Sequence, residues 1–146
     1  MIATVKDVLD EKGHSVWTIS PEAKVIAALE LMAEKNVGAL VVTHKDELVG
    51  ILSERDYARK VILKDRTSLE TPVKDIMTRG VYYVSPDTST QECMAMMSKN
   101  RIRHLPVIHK EKLIGIISIG DIIRSVVSEQ KIALDHLENY IIGKYL

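Results

Sequence analysis

The 146-residue chain predicts a mixed α/β (α+β) fold: two copies of one strand-helix-strand-strand-helix segment, followed by a C-terminal amphipathic helix. The first observation behind this is a duplication. Gly50-Ile51-Leu52-Ser53-Glu54-Arg55-Asp56 returns 65 positions on as Gly115-Ile116-Ile117-Ser118-Ile119-Gly120-Asp121. The same shift pairs Ser20-Pro21 with Ser85-Pro86, Leu40 with Leu105, Val42 with Val107, His44-Lys45 with His109-Lys110, Leu48 with Leu113 and Arg59 with Arg124. The second observation is periodicity, since helical three- and four-residue apolar spacing alternates with short continuous apolar runs in both copies. The third is the pattern that closes each copy: a glycine, then a serine three residues on, then an aspartate three further.

The openings repeat as well, Val5-Lys6-Asp7 as Val73-Lys74-Asp75, but at a shift of 68. Copy one therefore carries three extra residues between Leu9 and Trp17, in a segment that contains Lys12, Gly13 and His14. Residues 1–63 form the first copy, 64–71 a polar linker ending before Pro72, 72–128 the second copy, and 129–146 a tail.

Within copy one, the apolar run Trp17 to Ile19 predicts a strand that stops at Ser20-Pro21. Serine there suits a helix N-cap and proline the first turn. Val25, Ala28, Leu29, Met32 and Ala33 then share one helical face up to Lys35. Ala39 to Thr43 reads as a buried strand, Lys45-Asp46-Glu47 as a polar turn, and Leu48 to Leu52 as the returning strand. Copy two repeats the order with strands at Tyr82 to Val84, Leu105 to Ile108 and Leu113 to Ile117, and helices over Pro86 to Lys99 and Ile119 to Ser128. In the tail, Ala133, Leu137, Tyr140 and Ile141 fall on one stripe, whose apolar face needs a cover from this chain or another.

Composition narrows the class of function. Twenty basic and twenty acidic residues cancel, so the chain lacks the basic footprint of a nucleic-acid binder, and Arg101 and Arg103 stand without interleaved aromatics. A single cysteine, Cys93, rules out an internal disulfide, and neither a signal peptide nor an apolar run near the ~20 residues that span a bilayer is read. The expected home is the cytoplasm, with no membrane partner. His44 and His109 sit beside lysines at equivalent turns, a solvated setting with no carboxylate or cysteine to complete a metal site. Cys93, on a helical apolar face, reads as core.

The chain resembles the paired cystathionine β-synthase (CBS) domain, or Bateman module. The residues that carry the resemblance are Leu48 to Asp56, Leu113 to Asp121 and Arg103-His104-Leu105-Pro106-Val107. It covers Val5 to Ser128. It implies two repeats packed through their sheets about a pseudo-twofold axis, two clefts between them that take adenosine-containing ligands, and a dimer of such units.

Elementary chemistry gives the closing pattern a matching role. A strand that ends in a hydroxyl residue and runs into a helix presents unpaired backbone N–H groups to an anion such as phosphate. An aspartate one turn on is an acceptor able to take both hydroxyls of a ribose. Ser53 to Asp56 and Ser118 to Asp121 equally satisfy the capping-box pattern, which stabilises a helix start without any ligand, and the two roles are compatible. Arg59 and Arg124, one turn past each aspartate, fit either an Asp-Arg pair or a phosphate contact.

The resemblance implies two unequal clefts. The favoured one collects Asp121, Ser118 and Gly120 with Arg103 and His104, faces Val37, Gly38 and Ala39, and is bordered by His14 and Lys12. The second has Asp56, Ser53 and Arg55 over a floor that includes Ile102, Arg103 and His104. The expected ligand is AMP, ADP, ATP or NAD(H), acting as a regulator rather than a catalytic cofactor. Three classes compete: a regulatory nucleotide-binding module that signals through a homodimer to a separate effector protein, an enzyme acting on a nucleotide, and a ligand-free dimerisation module. The first is expected, because no nucleophile, general base or metal set accompanies the aspartates.

Overall fold

The computed structural model describes residues 3–128, so the predicted tail helix over 129–146 lies outside the described residues. In order, the elements are α1 (Val5–Lys12), β1 (Thr18–Ile19), α2 (Val25–Lys35), β2 (Ala39–His44), β3 (Glu47–Ser53), α3 (Glu54–Lys60), α4 (Thr90–Asn100), β4 (His104–His109), β5 (Lys112–Ser118) and α5 (Ile119–Ser128), with short 3-10 turns at Ile62–Lys64 and Val73–Asp75. This is the expected mixed α+β architecture.

The two copies match in detail. β2 and β3 form an antiparallel hairpin, as do β4 and β5, and each ladder slips at the equivalent place, after Val42 and after Val107. Each hairpin turns through two left-handed residues, Lys45-Asp46 and Lys110-Glu111, the geometry that suits the strands' twist. β1 adds to β2 in parallel, pairing Thr18 with Val41 and Ile19 with Val42.

Copy two departs from the expected strand over Tyr82 to Val84, which shrinks to a single bridge between Val84 and Val107. The cause is Pro106. In copy one the Val41 amide donates to the Trp17 carbonyl at 3.3 Å; Pro106 stands at the equivalent place and has no N–H to give.

The expected serine caps also move. α2 starts at Val25, with Lys24 at its N-cap and no side-chain cap bond. Ser20 instead closes a turn by accepting from the Glu22 amide at 3.2 Å. The first amides of α2 are taken by the linker, Val25 donating to the Thr71 carbonyl at 2.9 Å and Ile26 to that of Ser68 at 3.0 Å. α4 starts at Thr90 behind a Ser89–Glu92 capping box, four residues after the predicted Ser85.

Each opening segment completes the other copy's core. Val5, Val8 and Leu9 are buried with Val84, Met97, Leu105, Val107, Ile117 and Ile122 of copy two. Their counterparts Val73, Ile76 and Met77 are buried with Val25, Met32, Leu40, Val42 and Leu52 of copy one. The hydrogen bonds cross in the same way. Val5 and Lys6 donate to the carbonyls of Thr88 and Pro86 at 2.8 and 3.0 Å; Val73 and Lys74 donate to those of Ala23 and Pro21 at 2.8 and 2.9 Å.

This exchange explains the glycines of the closing patterns. A Cβ on Gly50 would lie 2.6 Å from the Met77 sulfur, and one on Gly115 would lie 2.7 Å from a Leu9 methyl. Both glycines mark the close approach of the opening segment to the strand. Neither copy has a whole core without the other.

Candidate functional site

At each strand-to-helix junction the serine and aspartate cap the helix start reciprocally. Ser53 N–H donates to Asp56 Oδ2 at 3.0 Å while Asp56 N–H donates to Ser53 Oγ at 3.2 Å. The matching bonds between Ser118 and Asp121 measure 2.8 and 3.1 Å. Both aspartates are buried to 9 % exposure; Asp56 is paired with one cation and Asp121 with two. Lys60 Nζ lies 2.9 Å from Asp56 Oδ1, which also accepts from the Thr78 hydroxyl at 3.1 Å. Asp121 meets Lys12 at 2.6 Å and Arg124 at 2.7 Å. The Asp-Arg pair thus forms in copy two, whereas in copy one Lys60 pairs with Asp56 and Arg59 faces a cavity.

That cavity, of about 660 Å³, lies between the copies. Copy one contributes Gly38, Ile51, Ser53 to Asp56, Arg59 and Lys60; copy two contributes Thr78, Ile102, Arg103 and His104. Four cations face two carboxylates there, so the field favours an anion. Arg55 spans the copies by donating to the Arg101 carbonyl at 3.1 Å. Of the helix-start amides, that of Glu54 donates to the Gly38 carbonyl at 3.1 Å and that of Asp56 to Ser53 Oγ, so an incoming anion would meet chiefly the side-chain cations.

A smaller cavity of about 270 Å³ adjoins Asp121, lined also by Val8, Glu11, Lys12 and Arg124. Of the residues expected around Asp121, the structure places Ser118 and Lys12 in direct hydrogen bonds with it. Gly120 is packed beside the Arg124 guanidinium. Arg103, His104 and Gly38 line the larger cavity, while His104 also stands opposite Ser118 in the β4–β5 ladder and the Arg103 carbonyl accepts from the Ile119 amide at 2.9 Å. Val37 packs on the first core, Ala39 is buried opposite Ser53 in the hairpin, and His14 Nδ1 lies 3.1 Å from the Ile114 carbonyl, a bond that needs the Nδ1–H tautomer. All four residues expected of the second cleft, Asp56, Ser53, Arg55 and Ile102, line the larger cavity. Lys60 and Thr78 were not singled out by sequence; Lys60 has a signal in its i,i+4 spacing from Asp56, whereas Thr78 has none.

Burial is the largest single influence on the Asp121 carboxyl and pushes its pKa up. The bonds from Lys12, the Ser118 amide and Arg124 together outweigh it and hold the group below the usual aspartate value. For His104 burial again leads and drives its pKa below the ordinary 6.5; Asp121 pulls upward, while Lys12 and Arg103 add to the downward push.

A duplicated strand-turn-helix unit with a capped aspartate at each junction, and an anion-favouring cavity between the copies, defines a tandem-repeat module. The CBS domain model matches residues 5–63 and 73–128, and the chain belongs to the CBS-domain family. It is 43 % identical over 152 residues to the Arabidopsis thaliana CBS domain-containing protein CBSX3, mitochondrial, covering 97 % of this chain and 73 % of that one. With Bacillus subtilis YhcV it shares 31 % identity, over 83 % of this chain and 84 % of the relative. A solved CBS-domain protein from Burkholderia ambifaria MC40-6 is 49 % identical and superposes with a TM-score of 0.85, covering 88 % of this chain and 96 % of its own. No helix among the described residues is long and apolar enough to cross a membrane.

Proposed function

We propose that this chain is a regulatory module that binds an adenine nucleotide, AMP, ADP, ATP or NAD(H), in the 660 Å³ cavity between its repeats, and passes the signal through a homodimer to a separate effector protein. The observation that carries the reading is the cavity's composition: a buried carboxylate and four cations drawn from both copies. Its volume falls within the ~300–1,000 Å³ of small-molecule sites. Asp56 supplies the acceptor for a ribose diol once the Lys60 ammonium and the Thr78 hydroxyl exchange away from Oδ1. Lys60 is then released beside Arg55, Arg59 and Arg103, where phosphate oxygens would lie. Ile51 and Ile102 offer aliphatic walls to a purine, and Gly38 leaves room for one. Charge-assisted bonds of ~1.5–3 kcal/mol each, offset by lost freedom, place affinity on the order of millimolar to micromolar.

A CBS domain pair of the same fold, that of protein MJ0100, was crystallised with 5'-methylthioadenosine and S-adenosyl-L-methionine; at 24 % identity and a TM-score of 0.78 that likeness speaks to fold. The binding role is preferred over an enzymatic one because the Ser53 hydroxyl is committed to Asp56 on both sides, as donor at 3.2 Å and as acceptor at 3.2 Å, rather than activated by a base. Assembly is proposed through α5, where Ile123 and Val126 are 51 % and 45 % exposed one turn apart. The hexameric CBS-CP12 protein of cyanobacteria, 30 % identical, is one assembled relative. A cytoplasmic setting belongs to the same proposal.

Thermal shift with AMP, ATP, NAD and NADH tests it. A ligand at 100 times its dissociation constant adds about 2.7 kcal/mol to the folded state. The shift should vanish in Asp56→Ala and weaken in Arg59→Ala, each measured against its own ligand-free baseline. No shift with any of the four would favour the ligand-free dimerisation module, and turnover of the added nucleotide would favour an enzyme.

A further inference from the structure

The groove of copy two that corresponds to the large cavity is crossed by a side chain from the far end of the sequence. At the shift of 65, the cavity-lining Ile51, Ser53 and Asp56 become Ile116, Ser118 and Asp121. Lys12 Nζ donates to two of these three, at 2.7 Å to the Ile116 carbonyl and at 2.6 Å to Asp121 Oδ2. In copy one Thr78 serves both positions, its amide donating to the Ile51 carbonyl at 2.8 Å and its hydroxyl to Asp56 Oδ1 at 3.1 Å. The Thr78 hydroxyl is short and neutral and forms part of the cavity wall. Lys12 sets a full charge on the carboxylate itself.

The openings differ for a visible reason. α1 runs on as a helix to Lys12, whereas the second opening leaves its helical turn and pairs Thr78 with Ile51. Lys12 lies in the segment where copy one is three residues longer, and no lysine stands in the shorter Thr78 to Gly80 of copy two. The carboxylates differ accordingly. Asp56 has a cation on one oxygen only, and that Lys60 side chain is 43 % exposed; Asp121 has Lys12 on one oxygen and Arg124 on the other, with Lys12 30 % exposed.

We propose that Lys12 makes the two clefts unequal: it sets a second cation on Asp121, at Oδ2, the oxygen that in Asp56 carries only the capping bonds, and with Arg124 on Oδ1 neither oxygen is left open to a ribose diol, so the chain holds one nucleotide, at Asp56. The inference rests on the nucleotide reading above and names the residue that decides which cleft is used. A diol at Asp121 has to displace a charge-assisted bond that spans the two ends of the fold. At Asp56 the displaced Lys60 stays beside the ligand, on the same helix.

Calorimetric titration with ATP and with AMP tests this on the full chain. Wild type should take one nucleotide per chain, and Asp56→Ala should take none over the same concentration range. Lys12→Met, which keeps the methylene packing and removes the ammonium, should take two, with affinity at Asp121 raised about ten- to a hundredfold. Lys12→Met combined with Asp56→Ala should bind one. Two sites in wild type, one site surviving in Asp56→Ala, or Lys12→Met still at one would each overturn the role of Lys12 while leaving nucleotide binding intact. Binding by none of the four forms would sink the nucleotide reading itself. Should Lys12→Met fail to fold, Lys12→Gln takes its place, and a site surviving in Asp56→Ala overturns the proposal on its own.

Discussion

Gly115→Ala should strip stability from the contact between α1 and the second sheet, and the size of the loss can be worked from the packing. The new methyl would sit 2.7 Å from Leu9 Cδ2 and 3.0 Å from Cδ1, where carbon atoms at rest stand ~3.5–4.0 Å apart. Leu9 is 1 % exposed and enclosed by the second core, so it cannot swing into solvent. Overpacking of this kind costs about 1–3 kcal/mol, and the reduced freedom of the unfolded chain returns about 0.4–1. The net loss is on the order of 1–2 kcal/mol, or roughly 3–10 °C in Tm for a chain of this size. Urea unfolding read by circular dichroism measures it. The decisive comparison is a double-mutant cycle. Leu9→Ala alone should cost about 2–5 kcal/mol, and Gly115→Ala should cost much less in that background, because the alanine methyl then has room. If the two losses simply add, or if Gly115→Ala alone leaves stability unchanged, the exchanged packing of the opening helix does not constrain this glycine.

Three further outcomes follow from the ionisable groups. Asp121 is held below its ordinary value of 3.8, so its contribution to stability is complete above about pH 4 and is lost as pH falls through the folded value; Asp121→Asn should flatten that acid limb in urea titrations. His104 is held below 6.5, so the folded state binds fewer protons there, stability is complete above about pH 6.5 and declines below it, and His104→Gln should remove that slope. Burial pushes the Cys93 thiol up to about 11, so a thiol reagent at about pH 8 should leave the native protein unmodified and label it stoichiometrically once unfolded in urea.

The elements legible in the sequence are those whose cause is local. The hairpins follow from continuous apolar runs flanking a polar turn, and the closing motifs from a serine and an aspartate close enough to cap one another. What stayed hidden depends on partners far along the chain. The Ser20 cap was displaced because the amides of α2 met the linker carbonyls of Thr71 and Ser68, which no local pattern announces. The loss of the strand over Tyr82 to Val84 was legible after all: Pro106 opposite an expected ladder position already meant a missing donor. α1 was not among the expected elements, although the Thr4–Asp7 capping box that starts it is a local signal. Its docking on the other copy has no such signal, because Leu9 and Gly115 lie a hundred residues apart and share no pattern that points one to the other. The same distance hid the pairing of Lys12 with Asp121, although both residues were named for the site.

A carboxylate that caps its own helix is positioned before any ligand arrives, and its lone pairs are already in use. On the nucleotide reading, the binding free energy at such a site is a difference between donors gained and donors displaced, not the strength of a new bond. Asp56 keeps the Ser53 amide and hydroxyl on Oδ2 at 3.0 and 3.2 Å throughout and needs to release partners only from Oδ1. Lys60, once released, finds phosphate charge within the same cavity, so the exchange conserves a cation-anion contact. Discrimination among nucleotides would then fall on Arg55, Arg59, Lys60 and Arg103, whose charges count phosphates, while the aspartate serves ribose alike in all of them. On the same reading, duplication of one segment would by itself give two equal sites, and the role proposed for Lys12, at the end of the longer opening helix, is to separate them.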